Sequence, residues 1–258
     1  HIWRLANGID TRAVRNDHIR KSQSAEHTFR DDVLTIEELI RTARLFTELG
    51  VRKIRVTGGE PLIRRGVDEL FAGLGELPGL ETLALTTNGS QLAAQASQLR
   101  EAGVSSVNIS LDSLDPSRFR TITRIGHLDA VMKGIDAAIA TGFKRIRLNA
   151  VILDGLNRDE ALSLTRFAID KNIHIAFIEE MPLGQVNVGG KALTYVSSDK
   201  LKTELEQHFE LRALNSRANA GPSRDFRIAG TGTEVGFISP HSHNFCAQCN
   251  RLRISAEG

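Results

Sequence analysis

The stretch Lys53-Ile54-Arg55-Val56-Thr57-Gly58-Gly59-Glu60-Pro61 reads as a short strand, Lys53 to Val56, running directly into a glycine turn. Strand alternation places Ile54 and Val56 on one face and Arg55 on the other. A helix precedes it. Thr35 and Glu38 have capping-box spacing, Leu39, Ala43, Leu45 and Leu49 carry the apolar period, and Gly50 supplies the stop. Helix, strand and a loop bearing polar groups at the strand's end form one unit of a parallel α/β fold.

Outward from this unit the rhythm repeats. Strands are expected at about Thr82 to Thr86, Ser106 to Leu111, Arg145 to Ile152 and Ile173 to Glu179. Helices are expected at about Val67 to Leu74, Gln91 to Ala102, Leu128 to Ala140 and Arg158 to Lys171. Asp115-Pro116 places a cap before a proline at a first helical position, and Asn157 with Glu160 has N-cap spacing. Such units connect right-handedly and put functional loops at the C-terminal ends of the strands. After Pro182 the rhythm changes to a glycine-marked loop, a short helix at about Ser198 to Gln207, and short strands between Phe209 and Ile238. Residues 183–258 therefore read as an appended extension.

The 258 residues suit one barrel with an appendage. Apolar residues make up 41%, charged residues 25% and aromatics 5%, an ordinary globular composition. A formal net charge of +2 gives no general attraction to nucleic acid or to a membrane, although a local basic cluster still binds an anion. No apolar run approaches the roughly 20 residues of a membrane-spanning helix, and the first residues lack the pattern of a secretory leader. A cytoplasmic setting is the expectation. Cys246 and Cys249, three apart, suit metal ligation or redox chemistry better than a disulfide framework.

Three strand ends carry candidate chemistry. Gly58 and Gly59 let a ligand approach the backbone, with the Glu60 carboxylate beside them to hold an ammonium group. Leu85-Thr86-Thr87-Asn88-Gly89 closes the next strand. In Asn108-Ile109-Ser110-Leu111-Asp112-Ser113 the period of two puts Asn108, Ser110 and Asp112 on one face. Arg55 and Arg147 have the parity to point inward while Ile54, Val56, Ile146 and Leu148 cover the other face, and an inward arginine needs an anion. A structural ion pair with an inward carboxylate such as Glu179 is the competing reading.

Together with Glu179-Glu180-Met181-Pro182 and Phe245-Cys-Ala-Gln-Cys-Asn-Arg-Leu-Arg253, these segments resemble the molybdenum cofactor biosynthesis protein A family, the GTP 3',8-cyclases, within the radical S-adenosylmethionine superfamily. The resemblance runs from about Val33 to Gly258. It implies an incomplete (β/α)6 TIM-like barrel over 33–182 and an α+β extension over 183–258. It also implies two 4Fe-4S clusters. One cleaves S-adenosylmethionine, and the resulting radical takes hydrogen from C3' of GTP so that this carbon bonds to guanine C8. The other is held by Cys246, Cys249 and a further cysteine expected beyond Gly258. Carried over by motif, Gly58, Gly59, Glu60, Ser110, Asp112 and Met181 would hold S-adenosylmethionine, and Arg55, Thr86, Arg147, Arg251, Leu252 and Arg253 would hold GTP. Arg147 stands where the family pattern has lysine. A partner protein would convert the cyclic product to precursor Z, and a homodimer is possible.

One family feature is missing. The N-terminal Cys-x3-Cys-x2-Cys falls on Asn16, Arg20 and Gln23, none of which holds a cluster, so residues 1–32 read as a degenerate segment. A divergent paralogue, a rearranged or misread N-terminus, and an engineered or fragmentary chain each account for it. A catalytically silent nucleotide-binding homologue is the alternative function. A zinc-stabilised module is another, because His241 and His243 precede the cysteine pair. In the extended segment after the pair, Arg251 and Arg253 are expected on one side, with Leu252 anchoring the other.

Overall fold

The computed structural model describes residues 33–180, 187–188, 191–192, 194–215, 221–243 and 251–258. Helix α1 (Ile36–Glu48) begins with the expected reciprocal cap: the Glu38 amide donates to Thr35 Oγ1 at 3.2 Å and the Thr35 amide to Glu38 Oε2 at 2.8 Å. Then follow β1 (Lys53–Val56), α2 (Val67–Gly75), β2 (Thr82–Thr87), α3 (Leu92–Glu101), β3 (Val104–Ser110), α4 (Pro116–Thr123), α5 (Leu128–Thr141) and β4 (Arg145–Val151). The short β5 (Leu153–Asp154) leads to α6 (Ala161–Asp170) and β6 (His174–Ile178). Beyond these lie β7 (Asn187–Val188), β8 (Lys191–Ala192), β9 (Thr194–Tyr195), α7 (Ser198–Glu206), β10 (Leu211–Ala213), β11 (Ser223–Ile228) and β12 (Glu234–Ile238). Among the described residues no helix is long and apolar enough to cross a membrane.

One sheet runs β1-β2-β3-β4-β6-β12-β11-β10, with neighbours parallel from β1 to β12 and antiparallel thereafter. The sixth parallel strand, β12, therefore comes from the segment that the sequence reading set apart as an extension. Burial explains its place. All five β12 residues are buried, and Val235 and Phe237 join the main core, so this strand belongs inside the sheet rather than on an appendage.

Alternation sorts the sheet into two unlike faces. Leu83, Leu85, Ile109, Leu148, Ile175 and Phe237 meet the helices in a single core, with Ile54 and Val56 packed against it. The opposite face has only a small separate apolar cluster, Ala176, Ile178 and Ile238 with Val151. Arg55 and Arg147 occupy the opposite parity, as the sequence predicted, and lie on this face, which is helix-free among the described residues.

Buried polar side chains lock the strand ends that carry the loops. The Val151 amide donates to Asp112 Oδ1 at 2.8 Å. Asn157 Nδ2 donates to the carbonyls of Asp112 (2.7 Å) and Val151 (2.9 Å), and its Oδ1 accepts from the Leu153 amide at 2.9 Å. Glu160 accepts from the Ser113 hydroxyl at 2.6 Å, the Leu114 amide at 2.7 Å and Arg118 at 2.8 Å. Asn157 and Glu160 thus form no capping box. Asn157 has no side-chain cap bond, because the backbone groups at the ends of β3 and β4 take its whole amide. Asp115, by contrast, does cap α4, its Oδ1 accepting from the Arg118 amide at 2.6 Å with Pro116 at the first helical position.

Two predictions follow from this packing. A Cβ at Gly134 on α5 would stand 2.4 Å from the Gly89 carbonyl oxygen, so the helix seats the Thr-Thr-Asn-Gly turn by direct backbone approach. Gly134→Ala is expected to destabilise the fold by about 1–3 kcal/mol in urea titration. Burial raises the pKa of Asp112 from 3.8 to about 7, opposed by the Val151 amide. The folded state then holds this proton more tightly than the unfolded chain, so stability present in acid is lost as pH rises from 3.8 through about 7. Asp112→Asn keeps the acceptor oxygen and should flatten that part of the stability–pH curve. Matching curves for the two proteins between pH 4.5 and 8 would contradict the assignment.

Candidate functional site

The Gly-Gly-Glu-Pro loop leaves β1 and opens onto free space. Among the described residues an added Cβ at Gly58 or Gly59 would meet nothing within 4 Å, and Gly58 has φ +155°, a conformation that favours glycine. Glu60 has a different role from the ammonium partner that the sequence suggested. Its carboxylate accepts from the Leu62 amide (3.1 Å), the Thr87 hydroxyl (2.8 Å) and the Asn88 amide (2.6 Å). Burial raises its pKa against those bonds. Glu60 therefore ties the glycine loop to the end of β2. Ser110, 4% exposed, ends β3 opposite Asn149 in register. Asp112 sits two residues further along, its Oδ1 taken by the Val151 amide. Met181 lies outside the described residues.

The helix-free face beside this loop is cationic. Arg55 Nη1 donates to the Leu85 carbonyl and to Thr86 Oγ1, both at 3.1 Å, so the structure brings together two residues assigned to one site. Both acceptors are neutral. Desolvation, and then the charges of Arg147, Arg251 and Arg145, push the Arg55 pKa down to about 10. The same neighbours, with Arg55 itself, act on Lys53, whose pKa is lowered first by desolvation. An ammonium and several guanidinium groups thus share a small region into which no carboxylate pairs with Arg55 among the described residues.

Arg147 differs. Its Nη2 donates to Asp225 Oδ1 and to Ser223 Oγ, each at 2.6 Å, while Nε finds no hydrogen-bond partner among the described residues. The carboxylate expected to compete for it was Glu179, and the structure corrects that choice. Glu179 instead accepts from the Ser198 amide (2.6 Å), the Ser242 amide (2.9 Å) and the Ser242 hydroxyl (2.6 Å), joining α7 to the loop after β12. Burial alone would raise its pKa, but these bonds hold it below the ordinary value. Arg145 pairs with Glu234 at 2.6 Å, and Arg227 pairs with the other oxygen at 2.8 Å. Burial and the nearby Arg145 charge push the His174 pKa down to about 4, so its neutral Nδ1 accepts the Glu234 amide at 3.1 Å.

The C-terminal segment lies near the start of the barrel, the Leu34 amide donating to the Ala256 carbonyl at 2.8 Å. Arg251 is close enough to depress the pKa of both Arg55 and Lys53. Leu252 does not anchor the segment. It is 77% exposed, because residues 251–258 carry no strand partner and run over the surface. Arg253 is likewise exposed. Sequence reasoning missed Ser223, Asp225, Gly236, Arg145 and Glu234. Arg145, two residues before Arg147 on the same face, was legible by parity; the others depend on β11 and β12 joining the sheet.

The chain contains two cysteines, Cys246 and Cys249, and both lie outside the described residues. So do Asn16, Arg20 and Gln23. A cubane cluster with one open iron takes three thiolates, and Asn16, Arg20 and Gln23 supply none. For the zinc reading, His243 Nε2 contacts Asp199 at 2.9 Å and the His241 ring packs on Tyr195 with centroids 4.4 Å apart. Among the described residues no group of three metal-ligating side chains occurs.

Comparison with known proteins agrees with this architecture. Residues 16–168 match the Radical SAM superfamily, and residues 173–258 match Molybdenum Cofactor Synthesis C. GTP 3',8-cyclase of Pseudomonas entomophila (strain L48) is 54% identical over 230 residues, which is 89% of this chain and 69% of that protein. GTP 3',8-cyclase of Saccharophagus degradans is 48% identical over 229 residues, with the same two shares. Streptococcus suis SuiB shares the fold, with a TM-score of 0.57 at 19% identity over 68% of this chain and 40% of that one. The chain belongs to the GTP 3',8-cyclase family of the radical S-adenosylmethionine superfamily, which employs a 4Fe-4S cluster and S-adenosylmethionine.

Proposed function

We propose that the helix-free face of this barrel binds the triphosphate of GTP, with S-adenosylmethionine against the Gly58-Gly59 loop, for the cyclisation of GTP at C3' and C8. The observation that carries this reading is Arg55: a cation held among other cations, with only neutral acceptors on its guanidinium among the described residues. Such an arrangement is unfavourable until an anion enters, and a triphosphate supplies several charges at once. Thr86 orients Arg55, and Arg251 reaches the same region from the C-terminal segment, with Arg253 two residues on.

For S-adenosylmethionine the fit is to the open space over Gly58 and Gly59 and to the buried Ser110 at the end of β3. Met181 would complete that side. Glu60 and Asp112 act as positioning residues, since their carboxylates hold the loops in place. When bound, S-adenosylmethionine supplies the radical in this family. The cyclic nucleotide would pass to a precursor Z-forming partner. Since Asn16, Arg20 and Gln23 stand where the resemblance places the thiolates of the first cluster, a nucleotide-binding chain without radical chemistry is the second reading.

Titration calorimetry tests the anion face. Arg55→Gln and Arg251→Ala are each expected to weaken GTP binding by about tenfold or more, from charge-assisted contacts of roughly 1.5–3 kcal/mol. Arg253→Ala should follow if it faces the same ligand. Unchanged affinity in folded variants would remove these residues from the site. Incubation of this 258-residue chain with S-adenosylmethionine and a reductant is expected to yield no 5'-deoxyadenosine. Product above a no-protein control would show that a cluster assembles without the three thiolates.

A further inference from the structure

Arg147 is almost fully buried, yet its guanidinium is only partly used. Nη2 serves both Asp225 and Ser223, and Nε has no hydrogen-bond partner among the described residues. Asp225 lies on β11, separated from β4 in the sheet by β6 and β12. The contact crosses those two strands over Gly236, where an added Cβ would stand 1.7 Å from Arg147 Nη2 and 2.4 Å from Asp225 Oδ1. The Ser223 hydroxyl also donates to Asp225 Oδ1 at 2.6 Å. The Asp225 side chain is the more exposed partner, 26% against 11% for Arg147.

We propose that Asp225 is the resident counter-ion of the anion site, standing on Arg147 in place of a ligand oxyanion and competing with the triphosphate for it. This rests on the reading of the face as a triphosphate site. Stripping a buried guanidinium of its partner is costly, but exchanging one oxyanion for another leaves its hydrogen bonds intact. Asp225, being partly exposed, turns toward water when the phosphate takes its place, and the Nε–H, buried and without a partner among the described residues, is a donor that Asp225 does not use. The carboxylate keeps Arg147 extended across the sheet between ligands. It also subtracts one charge from a cationic face, lowering affinity for phosphates. Lysine, a compact ammonium, would not need a partner two strands away to hold a planar fork in orientation.

The test is calorimetric titration of inorganic tripolyphosphate and of GTP into wild type, Asp225→Asn, Arg147→Gln and the double variant, with folding checked by thermal melts. Asp225→Asn keeps an acceptor for Arg147 and removes the charge, so both ligands should bind on the order of tenfold more tightly. In the Arg147→Gln background the same change should have a clearly smaller effect. Asp225→Ser, a smaller neutral acceptor, serves as the second variant if the first does not fold. Equal or weaker binding by a folded neutral variant, while Arg55→Gln still weakens GTP binding, would overturn the counter-ion role and leave the triphosphate face standing. Failure of wild type to bind either ligand would remove both.

Discussion

The alternation of side chains along six parallel strands is the constraint on which the rest of this structure depends. Among the described residues helices cover one face only, so each strand sends its apolar residues toward the helices and its remaining residues toward a common open face. Ile54 and Val56 go one way and Arg55 the other; Ile146 and Leu148 go one way and Arg145, Arg147 and Asn149 the other. The cationic region is thus assembled from strands distant in sequence by the same pattern that builds the core.

That region is balanced unevenly, and the imbalance gives it chemical meaning. Glu234 neutralises Arg145 and Arg227, and Asp225 neutralises Arg147, but among the described residues Arg55 has only a carbonyl and a hydroxyl. Its pKa reflects this, lowered by desolvation and by like charges with no carboxylate to offset them. A face made only for stability would pair its buried cations fully, because an unpaired buried charge costs several kcal/mol by order of magnitude. Gly236 shows the opposite economy: a position without a side chain in a buried strand, whose vacant volume is taken up by the Arg147–Asp225 contact.

The loops are held by carboxylates and amides used structurally. Glu60 joins the glycine loop to β2, Asp112 and Asn157 join β3 to β4, and Glu179 joins α7 to the loop after β12. Each satisfies backbone amides that would otherwise be buried without partners, which is why Glu60 and Asp112 are engaged by the protein where the resemblance implied ligand contacts. Backbone, open space and arginine are what these strand ends present among the described residues.

The sequence by itself determined the α/β alternation, the capped first helix, the strand parity that turns Arg55 and Arg147 from the helices, and the family. These are legible because each depends on short-range periodicity or on a contiguous motif. It also established that Asn16, Arg20 and Gln23, where the resemblance implies cysteines, carry no thiolate. Tertiary structure alone decided that Glu234–Ile238 is the sixth parallel strand, that Arg147 pairs with Asp225 rather than Glu179, and that Leu252 is exposed. Asn157 and Glu160 kept cap-like spacing but were drawn to strand ends more than forty residues away. The physical reason is common to all four: pairing of a buried charge, amide or strand edge is settled by whatever group folding brings nearest, and no local pattern records which group that will be.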